Sequence, residues 1–167
     1  SSLVGSEMCI RDSDIALENN MIHIHRTMQR IQTPGGEKKT AILIAEPKSQ
    51  CSIRDIPIAS TLREKLMKQT VKEGYVLTGN KNRYVEPRTM QNRFKALAER
   101  CGIRDAHFHT LRHTFATRCI EVGFDVKSLS EILGHANVSI TLNRYVHPSM
   151  ELKQKNMDKL SELFAVK

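Results

Sequence analysis

The sequence lacks the features of a membrane-spanning, exported or disulfide-bonded protein. Its 167 residues contain no run of 18 apolar residues and open with no signal peptide, so a soluble, unsecreted protein is expected. The 4 cysteines are scattered without a C-x-x-C pair, which predicts reduced and mostly buried thiols. No internal repeat or low-complexity stretch is present, and the length suits one domain with a sizeable core.

Positive charge is in excess. Lys plus Arg number 26 against 18 Asp plus Glu, which gives a net charge of +8 and a pI near 9.5. This balance favours a polyanionic partner without identifying it. Each basic residue could contact phosphate or could only keep the surface soluble. The candidates for phosphate contact are Arg26, Arg30, Lys38, Lys39, Lys81, Arg83, Arg88 and Arg93.

The first thirteen residues do not share the pattern of the rest. Residues 1–13 show neither helical nor strand periodicity and join directly to a well-patterned strand. We interpret them as a non-native or frayed segment and exclude them from the fold prediction. Residues 14–167 then form the predicted domain.

Period-two alternation predicts strands in the first third of this domain. The predicted strands are residues 21–26, 40–45 and 52–58, with turns at 33–36 and 47–50. Pro57 cannot donate a backbone hydrogen bond, so the third strand is placed at an edge. A small antiparallel three-stranded sheet is therefore expected.

From Ser60 onward the apolar period becomes helical. The predicted helices start at a cap or a proline and stop at a glycine or a proline. Their boundaries are Ser60 or Thr61 to Gly74, Pro87 to Gly102, 110–122, Asp125 to Gly134, 139–146, and Ser149 through 160. The predicted fold class is α+β and mainly helical, with the small sheet packed beside a helical bundle.

The third predicted helix carries two polar side chains of chemical interest. His109 and Arg112 lie about 60° apart on it. They point away from an apolar stripe predicted to be buried, which consists of Leu111, Phe115, Cys119 and Val122. A guanidinium can donate two parallel bonds to a phosphate, and the imidazole adds another donor.

Two further residues complete a chemically consistent set. His135 follows Gly134 in the turn after a helix, and Tyr145 lies on the next short helix. A tyrosine hydroxyl, two imidazoles and a guanidinium are what metal-free attack on a phosphodiester requires. Taken singly, each has an ordinary alternative, such as a core tyrosine or a histidine at a helix end. The ordered set predicts cutting and rejoining of nucleic acid through a covalent phosphotyrosine.

These motifs resemble a known family. H-T-L-R-H-T-F-A-T, then L-G-H, then N-R-Y, resembles the catalytic domain of tyrosine recombinases, the phage integrase family, over about residues 15–160. The chain is similar to integrases of conjugative transposons and of phages of Gram-positive bacteria. The resemblance implies a C-terminal catalytic domain that carries out DNA recombination and integration for a mobile element. It also implies a bacterial cytoplasmic protein, associated with the nucleoid when bound to DNA.

The resemblance assigns roles to individual residues. Tyr145 would be the nucleophile, Arg112 the second arginine of the phosphate clamp, and His109 and His135 its histidines. Lys48, in P-K-S-Q between two strands, matches the family's hairpin lysine and would donate a proton to the leaving 5′-oxygen. No metal or nucleotide cofactor is expected, because the phosphotyrosine conserves the bond energy.

The resemblance also implies partners and exposes one departure. The partners would be double-stranded DNA and other protomers, reached through an amphipathic C-terminal helix; no membrane is expected. The family's first catalytic arginine lies in a stretch similar to T-G-L-R-x-G-E before the first strand. Here residues 1–10 contain no arginine, and Arg11 has the wrong context and distance. We therefore expect the start of the catalytic domain and the N-terminal DNA-binding domains to be absent, and activity to be reduced.

Two other functions compete with this prediction. Residues 125–145 also fit a non-catalytic helix-turn-helix protein that reads bases through Ser139, Thr141, Asn143 and Arg144. A zinc site is a second alternative, because His109 and His113 are spaced i, i+4 with His107 close by. The zinc-protease pattern requires Glu after the first histidine, where this chain has Thr110.

Overall fold

The computed structural model describes residues 9–33, 39–47, 49–68, 73–147 and 150–165. Within them five strands come first and six α-helices follow, which confirms the α+β, mainly helical class. The strands are β1 (Ile15–Ala16), β2 (Met21–Ile24), β3 (Thr27–Gln32), β4 (Thr40–Ala45) and β5 (Arg54–Pro57). The helices are α1 (Ser60–Met67), α2 (Pro87–Arg100), α3 (Phe108–Glu121), α4 (Val126–Leu133), α5 (Val138–Tyr145) and α6 (Met150–Ala165). None of the helices described is long and apolar enough to cross a membrane.

The strands form two antiparallel sheets instead of the single sheet predicted. One sheet has the order β1-β2-β5, with Ile22 opposite Ile56, and β5 lies at its edge as Pro57 predicted. The other is the β3-β4 hairpin, with Met28 opposite Ile44. The prediction that residues 40–45 belong to the three-stranded sheet was wrong, because these residues pair with β3 and not with β5.

An ion pair marks the point where the predicted strand 21–26 is interrupted. Arg26 follows β2 and donates hydrogen bonds to the carboxylate of Asp14, which is 4% exposed. The backbone N–H of Arg11 donates to the same carboxylate at 2.7 Å. A buried carboxylate is expensive unless it is paired and hydrogen-bonded, so Arg26 is engaged in holding the fold together.

The described residues contain two buried apolar clusters, and α3 contributes to both through Ala116 and Phe108. The helical cluster consists of Ala116, Cys119, Leu129, Leu133 and Tyr145. The second cluster joins the β3-β4 hairpin to the loop before α2 through Cys9, Met28 and Tyr75. The ring of Tyr145 is thus part of the helical core.

The buried face of α3 differs from the prediction. Leu111, Phe115 and Val122 are 48%, 47% and 74% exposed, so their predicted burial was wrong, while Ala116 and Cys119 are buried. Ala116 and Cys119 follow His109 and Arg112 along α3 at spacings of three and four residues. The two polar side chains therefore lie on the same face of α3 as the buried residues. The four cysteines form no disulfide; Cys9 and Cys119 are buried, Cys51 is half-buried and Cys101 is exposed.

Helix ends follow the predicted caps around the site. Asp125 accepts a hydrogen bond from the backbone N–H of Ser128 at 2.8 Å and caps α4, and Gly134 ends it with φ +68°. α5 begins at Val138, one residue before the predicted start at Ser139, and the side chain of Asn137 caps it by accepting a hydrogen bond from the backbone N–H of Ser139.

The ends of the other helices agree less well with the prediction. α1 ends at Met67 and its N-cap is Ala59, whereas residues 69–72 of the predicted extension to Gly74 lie outside the described residues. Residues 34–36 of the predicted turn and the predicted cap Ser149 lie outside the described residues.

Candidate functional site

Helix α3 presents three polar side chains on one face near its start. His109, Arg112 and His113 are spaced i, i+3 and i+4, so they lie side by side on adjacent turns. The rings of His109 and His113 meet edge to face, with centroids 4.7 Å apart. His107 precedes the helix, and its backbone N–H donates to Thr110 Oγ1 at 3.1 Å.

Arg112 reaches from α3 to the end of α4. Its guanidinium donates a hydrogen bond to the carbonyl oxygen of Leu133, and the side chain is partly buried. The C-terminal carbonyls of a helix carry partial negative charge, which stabilises a guanidinium there. This contact places Arg112 against the turn that carries His135.

His135 is held in that turn by two hydrogen bonds. Its backbone N–H donates to the carbonyl oxygen of Ser130 at 3.0 Å, and its Nδ1 lies 2.8 Å from Oγ1 of Thr141. Thr141 is fully buried on α5, one turn before Tyr145. If the Thr141 hydroxyl donates to Nδ1, then Nε2 carries the proton and can donate to a ligand.

Tyr145 ends α5 with its side chain buried. The residue is 9% exposed, and its hydroxyl oxygen lies 3.0 Å from Nδ1 of His113. The two rings are tilted, with centroids 5.7 Å apart. The tyrosine hydroxyl is therefore hydrogen-bonded to an imidazole of the polar face of α3.

The electrostatics of the cluster favour an anionic ligand. Burial lowers the pKa of His135, and the charges of Arg112, Arg144 and Arg54 lower it further. Burial, followed by the effects of His113, Arg112 and Arg144, lowers the pKa of His109. Several cationic groups thus act on the same small volume, and an anion placed there would relieve their repulsion.

Arg54 is a member of the site that the sequence did not predict. Its Nε donates to the carbonyl oxygen of Ile132 at 2.8 Å, and its Nη1 donates to that of Ser52 at 3.1 Å. The positive φ of Gly134 favours glycine, and a Cβ there would lie 3.0 Å from Nη1 of Arg54, so a larger residue would press on this guanidinium. Arg54 thereby ties β5 to the turn that holds His135.

The structure brings together four of the five predicted catalytic residues. They are His109, Arg112, His135 and Tyr145; the fifth, Lys48, lies outside the described residues. His113 and Thr141 were considered only for the zinc and helix-turn-helix alternatives, although the i, i+4 spacings of His109 to His113 and of Thr141 to Tyr145 are signals for a shared face with this cluster. No sequence pattern indicated Arg54.

The predicted phosphate-binding residues occupy different surroundings. Arg30 pairs with Glu86 and Lys81 with Glu73, while Arg83, Arg88 and Arg93 are exposed. Arg88 lines a cleft between α2 and the start of α3 that also includes Asn92, Lys95, His107 and His109. This cleft connects exposed positive charge to the cluster.

Arg11 does not join the cluster. Its guanidinium lies over the ring of Tyr75, 4.7 Å from the centroid, and one nitrogen donates to the Tyr75 hydroxyl at 3.1 Å. Tyr75 belongs to the second apolar cluster, away from α4 and α5. The guanidinium of Arg11 thus contacts the second apolar cluster through Tyr75.

The two competing functions find no support in this geometry. Thr141, which a base-reading helix would need to expose, is fully buried and bonded to His135. Among the described residues, no group of three or more potential ligand side chains is arranged to hold a metal ion.

A family model matches most of the chain. The chain belongs to the phage integrase family, whose model matches residues 6–151. This match confirms the resemblance drawn from the H-T-L-R-H, L-G-H and N-R-Y motifs.

Curated relatives are named tyrosine recombinases. The chain is 30% identical to a tyrosine recombinase XerC-like protein of Caldanaerobacter subterraneus subsp. tengcongensis, over 96% of this chain and 46% of the relative. It is 33% identical to tyrosine recombinase XerC of Staphylococcus carnosus, over 61% of this chain and 37% of the relative. The chain thus spans about half, or less, of the length of the curated relatives it matches.

Solved structures share the fold. The Tn1549 transposon integrase in complex with transposon right end DNA matches with a TM-score of 0.74 and 22% identity, covering 96% of this chain and 55% of that one. The XerA recombinase matches with a TM-score of 0.59 and 22% identity, covering 93% and 52%. These likenesses establish the architecture of the domain.

Proposed function

We propose that residues 14–167 are the catalytic domain of a tyrosine-type site-specific DNA recombinase that works through a 3′-phosphotyrosyl intermediate on Tyr145. One observation carries this proposal. A buried tyrosine hydroxyl, the imidazoles of α3, the His135 turn and the guanidinium of Arg112 meet where the ends of α3, α4 and α5 adjoin. Family membership and the names of the relatives support the same activity.

Cleavage would be a transesterification. The hydroxyl oxygen of Tyr145 attacks phosphorus, a new P–O bond forms, and the bond to the 5′-oxygen breaks. Arg112, His109 and His135 would donate hydrogen bonds to the non-bridging oxygens, where charge increases in the transition state. Lys48 would supply the proton that the 5′-oxygen needs to leave as a hydroxyl.

Rejoining would reverse these steps with a different strand. The 5′-hydroxyl of that strand attacks the phosphotyrosine, and the tyrosine hydroxyl leaves and regains its proton. Because one phosphoester replaces another, the reaction needs no metal or nucleotide as a source of energy. Recombination follows when the attacking 5′-hydroxyl comes from a second DNA molecule.

Double-stranded DNA is the proposed partner. The related Tn1549 integrase is named as a complex with transposon right end DNA and with circular intermediate DNA. In this chain the net charge of +8 and the cleft from Arg88 to His109 support the same ligand. Arg83, Arg88 and Arg93 are exposed and suited to phosphate contact, whereas Arg26 is engaged by Asp14.

The family's first arginine has no counterpart among residues 1–10 of this sequence, and this should limit the rate of cleavage by these 167 residues. Loss of one preorganised donor to a developing oxyanion costs about 10²–10³-fold in rate. The guanidinium of Arg11 donates to the Tyr75 hydroxyl, and that of Arg54 donates to the carbonyl oxygens of Ile132 and Ser52, so neither is proposed as a replacement. Adding a native segment of the T-G-L-R type before residue 14 should therefore raise the rate of cleavage.

We further propose that α6 binds a neighbouring protomer. Apolar side chains along this helix are exposed: Met150, Met157, Leu160 and Phe164, at 75%, 59%, 46% and 76%. Exposed apolar faces of this kind mark interaction surfaces. Sedimentation equilibrium on nicked DNA should show an assembly of several protomers that Met157→Glu with Leu160→Glu disrupts, while an unchanged mass would contradict the proposal.

A covalent trap tests the activity. The chain, with and without an added T-G-L-R-type segment, is incubated with nicked duplexes that lose the 5′-hydroxyl fragment after cleavage. We expect a protein–DNA adduct that survives denaturant and disappears with Tyr145→Phe. The chain contains 3 tyrosines, so Tyr84→Phe is a matched control that should leave the adduct intact. No adduct from either form of the chain, with DNA still bound, would contradict the function.

A further inference from the structure

We propose that His113 accepts the proton of the Tyr145 hydroxyl during DNA cleavage and returns it during rejoining. This inference rests on the proposed function, because it assigns a proton acceptor to the same nucleophile. It starts from one contact, the 3.0 Å separation between Nδ1 of His113 and the hydroxyl oxygen of Tyr145. Both groups sit on elements that pack together in the helical core, α3 and α5.

The chemistry of the nucleophile calls for such an acceptor. A tyrosine hydroxyl has an ordinary pKa of about 10, so only about one molecule in a thousand carries a phenolate at pH 7. A positioned base typically accelerates such a step by about 10²–10⁴-fold. The hydroxyl of Tyr145 is largely removed from solvent, so a side chain is better placed than bulk water to take its proton.

The other two imidazoles of the cluster are placed for a different task. Nδ1 of His135 is bonded to Thr141, which leaves its Nε2 to face a ligand. His109 contacts His113 edge to face, and the charge of Arg112 acts on it directly. These two imidazoles lie with the phosphate-binding guanidinium, whereas His113 is bonded to the nucleophile itself. The three histidines thus divide into two that bind phosphate and one that serves the tyrosine.

The proton balance of the step is complete. In the neutral tautomer with its proton on Nε2, the lone pair of Nδ1 points at the Tyr145 hydroxyl. As the P–O bond to tyrosine forms, that proton moves to Nδ1 and His113 becomes an imidazolium. As the bond to the 5′-oxygen breaks, Lys48 donates a separate proton to the leaving group. Rejoining moves both protons back.

The kinetic test separates holding the hydroxyl from accepting its proton. His113→Asn keeps an acceptor near the position of Nδ1 but cannot be protonated, while His113→Ala removes both properties. We expect both variants to slow adduct formation by about 10²-fold or more. A 5′-bridging sulfur substrate, whose leaving thiol needs no general acid, should restore the rate of Lys48→Ala and leave His113→Asn slow. Two results would overturn the inference. In the first, His113→Asn forms the adduct within about threefold of the rate of the unsubstituted chain. In the second, the 5′-bridging sulfur substrate restores the rate of adduct formation by His113→Asn.

A second measurement does not depend on turnover. In ¹⁵N spectra of the histidine-labelled chain, His113 should be the tautomer protonated at Nε2, and Tyr145→Phe should shift its Nδ1 resonance. A proton on Nδ1 in the neutral form would overturn the inference, because that nitrogen could then accept nothing. Failure of the chain and of its T-G-L-R-extended form to give any adduct would contradict the proposed function. An adduct formed equally fast without His113 would contradict this inference alone.

Discussion

Replacing Thr141 with valine should affect both stability and catalysis by removing one hydroxyl. Thr141 is fully buried, and its Oγ1 lies 2.8 Å from Nδ1 of His135. Valine has nearly the same shape, so the lost hydrogen bond dominates and costs about 1 kcal/mol. For a domain of this size that loss lowers the melting temperature by about 2–4 °C. The same energy, if needed to orient His135 in the transition state, slows cleavage about fivefold.

Thr141→Ser is the matched control for this prediction. Serine keeps the hydroxyl but loses a methyl group, which also costs about 1 kcal/mol at a buried position. Thermal unfolding followed by circular dichroism should therefore show similar losses for both variants. Adduct formation on nicked duplexes should be slowed by Thr141→Val only. Equal rates for the two variants would refute the argument that Thr141 orients His135.

Three further predictions concern the helices around the site. Burial and neighbouring charge hold the pKa of His109 and of His135 below 6.5. Because the unfolded chain then binds more protons than the folded chain as the pH falls, the free energy of unfolding should decrease below about pH 6.5. Denaturant titrations should show a smaller decrease for His135→Gln than for the unsubstituted chain. Leu129→Ala should cost about 2–5 kcal/mol in the same titrations, because Leu129 is fully buried between α3, α4 and α5; a loss under about 1 kcal/mol would contradict the packing. Asp125→Ala should cost about 1 kcal/mol by removing the cap of α4, with Asp125→Asn nearly neutral as the control.

The site could be predicted from sequence because its members obey local rules. The spacing of His109 and Arg112 fixes their relation on any helix, and Gly134 places His135 in a turn whatever the tertiary fold. Asp125 and Gly134 bound α4 as predicted for the same reason. Local geometry therefore accounts for three of the catalytic residues proposed, whereas the contact of Tyr145 with His113 joins α5 to α3 across 32 residues.

The remainder depends on partners far away in the chain. The stripe of Leu111 and Phe115 has the same helical period as the true core face of Ala116 and Cys119, and only the position of α4 and α5 decides between them. Arg54 joins the site across 78 residues through the carbonyl of Ile132, which no local pattern encodes.

The split of the predicted sheet has a similar cause. The strand predicted at residues 21–26 ends at Ile24 in β2, and the ion pair of Arg26 with buried Asp14 coincides with the break between β2 and β3. That pair involves a residue from the segment before β1, so alternation within the strands could not reveal it. Alternation predicted β2, β4 and β5 but missed β1 and β3, and it did not predict which strands pair.

The central claim is that Tyr145 carries the DNA, and the modified residue can be identified directly. The chain, extended with a T-G-L-R-type segment, is reacted with a nicked duplex, digested with nuclease and trypsin, and analysed by fragmentation mass spectrometry. The account predicts a nucleotide linked through a 3′-phosphate to Tyr145, in the tryptic peptide that begins immediately after Arg144. A nucleotide on Tyr75, on Tyr84 or on a serine, with Tyr145 unmodified, would contradict it.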